Sequence, residues 1–221
     1  ALAARQMKSQ LAEKLNENKK WKVIIFMKNL LLAVMLIWAM PSLTEAGYQE
    51  ATDAFDKGDS LTALQEFQTL ADDNDARGQY GLGIMYDLGE GVPQSAEQAA
   101  KWYQLSAEQG YADAQNNLGV MYEEGEGVPR NYDEAMKWYR KSAESGNKDA
   151  PNNIGVMYMS GVGAIKDSVK AYMWFSIAGK GDPAAISNKK FLLKRLTPDE
   201  LVRAKNMAQE WLKIREQKNK N

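Results

Sequence analysis

The chain has 221 residues and a formal net charge of −1, with 44% hydrophobic and 26% charged residues. This composition is typical of a folded protein and excludes a mostly disordered one. The sequence contains no Cys and no His, which excludes disulfides, thiolate nucleophiles, Cys/His zinc sites and Ser-His-Asp catalysis. We therefore expect neither a metal site nor a cofactor.

Charge is distributed unevenly along the chain. Residues 47–184 carry eleven basic and twenty-two acidic side chains, whereas residues 185–221 carry ten basic and four acidic ones. An acidic surface repels the phosphate backbone, so we do not expect this protein to bind nucleic acid. The basic tail either contacts an anionic surface or forms a solvated helix face.

The first predicted element is an export signal at residues 27–46. Leu30–Met40 is an uninterrupted apolar run, with Lys28 before it and small residues up to Ala46 after it. This order is typical of a signal peptide cleaved after Ala46. An uncleaved membrane anchor and a buried core helix remain as alternatives. Residues 1–26 are interpreted as an N-terminal extension ahead of the translation start.

The remainder of the chain repeats itself every 36 residues. Ala107–Tyr122 and Ala143–Tyr158 are similar at that spacing, and Asp75–Tyr86 is a shorter copy one period earlier. A fixed period in this range predicts an array of helical units, each of which buries its apolar face against its neighbours. We predict a degenerate first repeat at residues 47–76 and three full repeats at residues 77–112, 113–148 and 149–184. A C-terminal cap is predicted at residues 185–221.

Each full repeat is predicted to contain two helices. In residues 113–148, the carboxylate of Asp113 is expected to cap the first helix. Gly119 lies beside the apolar stripe of that helix, where a missing side chain allows a neighbouring helix to approach closely. The Gly-Glu-Gly-Val-Pro sequence that begins at Gly125 ends the helix, and Asn131 opens the second one.

The second helices carry a stripe of aromatic and small residues that predicts a buried face. Large rings between small residues are what two close-packed antiparallel helices require. The Trp residues of this stripe also suggest sugar recognition, but their helical spacing favours packing. The stripe comprises Ala99, Trp102, Tyr103, Ser106 and Ala107, then Ala135, Trp138, Tyr139, Ser142 and Ala143, then Ala171, Trp174, Phe175 and Ala178.

The period is lost after Asp182, which is a candidate N-cap followed by a first-turn Pro183. Thr197 through Glu200 opens a last helix with an apolar stripe and a basic outer face. Atypical end units are expected because the end of an array needs a polar outer surface. The stripe of this last helix comprises Leu201, Ala204, Ala208 and Trp211.

These recurring positions resemble the Sel-1-like repeat, a relative of the tetratricopeptide repeat. The resemblance is strong over residues 77–184 and weak over residues 48–76. It implies an all-α, right-handed solenoid of antiparallel helix pairs with a C-terminal capping helix. It also implies a non-catalytic adaptor or scaffold that binds other proteins in the bacterial cell envelope. The matching residues are Ala114–Tyr122, Gly125–Pro129, Ala135, Trp138 and Tyr139.

In related repeats, the first helix of each pair lines a concave groove. Eleven residues of this chain stand at the equivalent repeat positions, so the resemblance implies that they line such a groove. Asn amides can pair with both the N–H and the C=O of an extended peptide, so we expect the groove to hold a peptide segment or a partner domain. The acidic residues of the groove are expected to favour partner segments that carry basic residues. The alternative is that these positions form an ordinary polar surface with no binding role. The predicted groove residues are Tyr80, Ile84, Asp87, Asn116, Asn117, Val120, Glu123, Asn152, Asn153, Val156 and Met159.

The export signal together with this resemblance implies a location. We expect a protein that is periplasmic or secreted after cleavage, or one anchored in the inner membrane and facing the periplasm. Contact with a membrane is expected only through the N-terminal segment, if that segment stays uncleaved.

Two further functions remain open. An envelope hydrolase acting on a β-lactam or on peptidoglycan is the enzymatic alternative, because Ser145 with Lys148 and Ser187 with Lys190 have the Ser-x-x-Lys spacing of β-lactamases. Neither serine has a Ser-Asp-Asn or Lys-Thr-Gly companion in the chain, so we interpret both as chance matches. The other alternative is a structural organiser of a polysaccharide-export or cell-wall complex.

Overall fold

The computed structural model describes residues 43–179, 181–218 and 220, and the described residues form ten α-helices joined by short turns. From Gly47 onward they belong to one compact unit. The predicted signal peptide lies outside the described residues, apart from its last four. In the described ranges, no helix is long and apolar enough to cross a membrane. The helices are α1 (Leu43–Asp56), α2 (Ser60–Asp72), α3 (Ala76–Leu88), α4 (Ala96–Glu108), α5 (Ala112–Glu124), α6 (Tyr132–Ser145), α7 (Ala150–Ser160), α8 (Ser168–Ala178), α9 (Pro183–Leu193) and α10 (Pro198–Lys218).

The full repeats are the helix pairs α3/α4, α5/α6 and α7/α8, stacked in chain order. The first helix of each pair ends at a glycine in the left-handed conformation, as the sequence predicts: Gly89, Gly125 and Gly161. The predicted start of α6 is also confirmed, because Asn131 Oδ1 accepts hydrogen bonds from the backbone amides of Asp133 and Glu134.

The predicted cap at Asp113 is wrong. α5 begins at Ala112, and its N-cap residue is Tyr111, whose side chain makes no capping hydrogen bond. Asp113 is therefore already inside the helix, in its first turn. Its Oδ1 accepts instead from Asn147 Nδ2 at 2.7 Å, which ties α5 to the turn that follows α6.

Within each pair, an aromatic ring of the second helix rests on a glycine of the first. The ring of Tyr139 lies against Gly119, where a Cβ would meet the ring at 2.6 Å. The same contact recurs between Tyr103 and Gly83, and between Phe175 and Gly155. This confirms the close approach predicted at Gly119, and it explains why glycine recurs at this register.

The second glycine of each loop joins one repeat to the preceding one. Gly127 has φ +68°, and a side chain there would collide with the Ala96 carbonyl at the start of α4. The corresponding glycines, Gly91 and Gly163, lie against Ser60 of α2 and Tyr132 of α6. The loops predicted as simple turns are thus also the junctions between neighbouring repeats.

The last two helices cap the array against α8. The Asp182 carboxylate accepts from the first-turn amides of α9, as predicted. Thr197 and Glu200 exchange backbone-to-side-chain hydrogen bonds at the start of α10, which is a capping box. The rings of Trp174 and Trp211 meet edge-on, with centroids 5.3 Å apart.

Candidate binding groove

The predicted groove residues occupy equivalent positions on α3, α5 and α7. We call them together the first-helix surface. Ten of the eleven are half-buried, and Asn116 is buried, with 9% of its surface exposed. The apolar members Val120, Val156 and Met159 pack against the core of the last repeat. Ile84 packs against the core of the preceding repeats.

The asparagines of the first-helix surface are linked to one another. Asn153 Nδ2 donates to Asn116 Oδ1 at 3.1 Å, and Asn116 Nδ2 donates to Asn117 Oδ1 at 3.5 Å. Asn152 differs, because its buried Oδ1 has no hydrogen-bond partner among the described residues. The four amides therefore are not equivalent: Asn116 is occupied within the protein, whereas Asn152 retains an unused acceptor.

The two acidic residues of the surface are held by tyrosines of the second helices. The Tyr139 hydroxyl donates to Glu123 Oε2 at 2.7 Å, and the Tyr103 hydroxyl donates to Asp87 Oδ2 at 3.4 Å. Burial, followed by the hydrogen bond to Glu123, raises the pKa of Tyr139 well above its ordinary value. These contacts fix each carboxylate in place at the surface.

The structure adds an apolar cleft that the sequence analysis did not predict. This N-terminal cleft lies between α1, α2 and α3 and has a volume of about 80 Å³. Its walls are mostly aromatic and aliphatic, and the ring of Phe67 packs directly against Gly81. Tyr80 and Ile84 belong to both the cleft and the first-helix surface. The lining residues are Tyr48, Thr52, Phe55, Asp56, Phe67, Arg77, Tyr80, Gly81 and Ile84.

One charged pair fixes the rim of the cleft. Arg77 Nη2 lies 2.8 Å from Asp75 Oδ2, and the guanidinium stacks 4.8 Å from the centroid of the Tyr48 ring. The side-chain hydrogen bond from Arg77 holds the pKa of Asp75 below its ordinary value. Beside this pair, burial raises the pKa of Tyr80 to about 12, so its hydroxyl stays neutral.

A sequence signal for the cleft existed in the degenerate first repeat. Tyr48 and Phe55 stand seven residues apart and share one face of α1, which is the spacing of an apolar stripe. Gly81 stands one period before Asn117, so the first full repeat has no side chain where the next has an amide. Only the packing of three helices turns these signals into a cavity.

The serines and lysines of the enzymatic alternative lie outside this site. Ser145 and Lys148 are exposed at the end of α6, and Ser187 and Lys190 are exposed on α9. Among the described residues, no group of His, Cys, Asp or Glu could hold a metal ion.

The paired helices define the protein as an α-solenoid of the tetratricopeptide-like class. A family model described as Sel1 repeat matches residues 76–111, 112–147 and 149–182. The protein thus carries three repeats of the Sel1 family. Members of this family generally mediate protein–protein interactions and are typically non-catalytic.

Two solved structures are similar to the chain. A Sel1 repeat protein from Oxalobacter formigenes is 34% identical with a TM-score of 0.61, over 66% of this chain and 60% of that one. The protein c5321, a protective antigen of uropathogenic Escherichia coli strains with an SLR fold, is 30% identical with a TM-score of 0.46. That match covers 69% of this chain and 41% of c5321, so the chain spans less than two thirds of either protein. No curated protein matches the chain.

Proposed function

We propose that the protein is a non-catalytic scaffold of the bacterial cell envelope that binds an extended segment of a partner protein. The segment lies along the first-helix surface and inserts one bulky apolar side chain into the N-terminal cleft. The observation that carries this proposal is the sharing of Tyr80 and Ile84 by the surface and the cleft. A single peptide can therefore contact both.

The two parts of the site supply different components of binding. An apolar anchor side chain in a desolvated cleft supplies most of the affinity, as buried anchors do in protein interfaces. Asn152, Asn153 and Asn117 supply polar contacts to the peptide backbone. Asp87 and Glu123, fixed by their tyrosines, favour a basic residue in the segment.

The envelope location rests on the apolar run at Leu30–Met40, which has the flanking residues of a signal peptide. A cleaved signal at residues 27–46 releases the scaffold into the periplasm or the medium, whereas an uncleaved one anchors it in the inner membrane. Fractionation of cells, with mass spectrometry of the N-terminus, distinguishes these two locations. A protein found whole in the cytoplasm would contradict both.

In-cell photocrosslinking tests the site. p-Benzoylphenylalanine replaces Tyr80, and a control probe replaces Lys141, which is exposed on α6. We expect the probe at Tyr80 to capture one or two discrete proteins. Thr52→Phe, which fills the cleft, should reduce that capture by at least about tenfold. Thr69→Phe is the matched control, since both hydroxyls bond only carbonyls of their own helix.

Two results would contradict the proposal. Capture at Tyr80 that is unchanged by Thr52→Phe would remove the cleft from the site. Capture from Lys141 alone would show that another face binds the partner. Several envelope proteins captured from both probes would support the structural organiser instead.

A further inference from the structure

The C-terminal cap presents a face that neither the core nor the first-helix surface uses. Leu192 of α9 is buried, but its neighbours Phe191 and Leu193 are 48% and 50% exposed. Lys190 and Lys194 lie between these two on the outer side of the helix, because residues four apart share a helix face. We call Lys190, Phe191, Leu193, Lys194 and Arg195 the basic cap face.

The charge of this face is of one sign. From Pro183 to Pro198 the chain has four basic residues and no acidic one. One of the four, Lys189, is directed inward, because its ammonium lies 5.5 Å from the centroid of the Tyr172 ring. Burial, and then the nearby charge of Lys205, lowers the pKa of Lys189. The other three are exposed and make no ion pair with the described residues.

The end of a helical array usually carries a polar outer surface, because no further repeat covers it. Here the end unit retains an exposed Phe191 and Leu193 beside its cations. A surface that combines aromatic, aliphatic and Lys/Arg side chains matches the interface of an anionic bilayer. The ammonium groups stay at the lipid phosphates, while the ring and the leucine reach the acyl boundary.

We propose that the basic cap face binds the surface of an anionic phospholipid bilayer. The contact is independent of the peptide site and of the N-terminal segment, which the sequence alone predicts to be the membrane contact. The acidic repeats are repelled by the same bilayer. Attraction at one end and repulsion elsewhere would orient the protein with its cap toward the lipid.

A single fluorescent probe tests this contact in the full chain. The sequence has no Cys, so Ser187→Cys gives one labelling site, exposed one turn before the basic cap face. With the environment-sensitive dye NBD, we expect a blue shift and brighter emission on vesicles of phosphatidylglycerol and phosphatidylcholine. Vesicles of phosphatidylcholine alone should produce no shift. A probe at Ser145→Cys, exposed on α6, should respond to neither.

Two matched pairs of variants assign the effect to the face. Lys190→Glu with Lys194→Glu should weaken the vesicle response by at least about 25-fold, since each lysine contributes about fivefold. Lys57→Glu with Lys148→Glu changes the net charge equally and should leave the response intact. Phe191→Ser with Leu193→Ser should also weaken it. The control is Leu61→Ser with Leu88→Ser, which removes two exposed leucines elsewhere.

Three results would overturn the proposal. The first is an equal shift on neutral and anionic vesicles, and the second is a shift that survives the Lys190 and Lys194 reversals. The third is a shift with polyglutamate or RNA and none with vesicles, which would assign the face to an acidic macromolecule. The comparison of lipids needs only Ser187→Cys, so a misfolded charge variant does not leave the question open.

Discussion

Gln79 and Gln115 occupy the same position in successive repeats but have different surroundings. Gln79 Oε1 accepts a hydrogen bond from Gln109 Nε2 at 2.8 Å. Gln115 Nε2 donates to the Ala107 carbonyl at 3.0 Å, but its buried Oε1 has no partner among the described residues. Ser145 stands one period after Gln109, and its side chain is too short to reach that oxygen. A buried, unpaired acceptor of this kind costs stability.

Supplying the missing donor should therefore stabilise the protein. We expect Ser145→Gln to raise the free energy of unfolding by about 1 kcal/mol, which is the net value of one hydrogen bond. Urea denaturation followed by circular dichroism measures the change. The gain should vanish in a Gln115→Met background. A gain that persists there would reflect helix propensity at position 145 rather than the hydrogen bond.

The tyrosine–carboxylate contacts give a second prediction at this scale. Tyr139→Phe removes a 2.7 Å hydrogen bond to the charged Glu123, so we expect a loss of about 1.5 kcal/mol in unfolding free energy. Tyr103→Phe removes only the 3.4 Å contact with Asp87 and should cost about 0.5 kcal/mol. Equal losses for the two variants, measured by urea denaturation, would show that the short contact contributes no more than the long one.

At the scale of the element, the pairing of two helices depends on a residue without a side chain. Gly119→Ala would place a methyl group 2.6 Å from the ring of Tyr139, so either the ring or α6 must shift. We expect a loss of about 1–3 kcal/mol, the usual cost of overpacking a core. Gly181→Ala is the control and should change stability little, because its added Cβ would meet no described residue within 4 Å apart from its chain neighbours. Thermal denaturation that ranks the two variants equally would contradict the helix-pairing argument.

Elements that form from local contacts were predictable, and those that need several helices were not. The glycine at the end of α5 and the cap at Asn131 follow from neighbouring residues, so the sequence locates them correctly. Asp113 misleads because a capping carboxylate and a first-turn carboxylate look alike in sequence. The N-terminal cleft was missed because its walls come from three helices, of which α1 and α2 form the degenerate first repeat.

The candidate site likewise has a part that the sequence predicts and a part that it does not. Register alone places Asn116 and Asn152 on equivalent helix positions. It does not distinguish their hydrogen bonding, because Asn116 meets Asn153 one repeat away, whereas Asn152 has no later repeat to meet. Side-chain pairing between repeats is a property of the packed array, and no single repeat encodes it.

At the scale of the whole molecule, most helix contacts among the described residues join units that are neighbours in the array. Trp211→Ala should therefore loosen one end of the protein and leave the other unchanged. We expect faster amide hydrogen exchange in α8 and α9, where the Trp174 ring loses its edge-on contact, and unaltered exchange in α3. Mass spectrometry of peptic fragments measures both. Uniform acceleration along the chain would instead show that the array opens as one cooperative unit.

The loop glycines have a consequence for how such a chain can lengthen. Gly127 meets α4 of the preceding repeat, and Gly163 meets α6 in the same manner, so every junction is made from the same two surfaces. A tandem duplication of one whole repeat therefore carries both halves of a compatible junction, and the copy fits without new complementary residues. A duplication of part of a repeat carries only one of the two surfaces of a junction, so the copy does not fit. Gene lengths in this lineage should accordingly differ by whole multiples of a repeat, with the cap and the N-terminal cleft kept at the two ends.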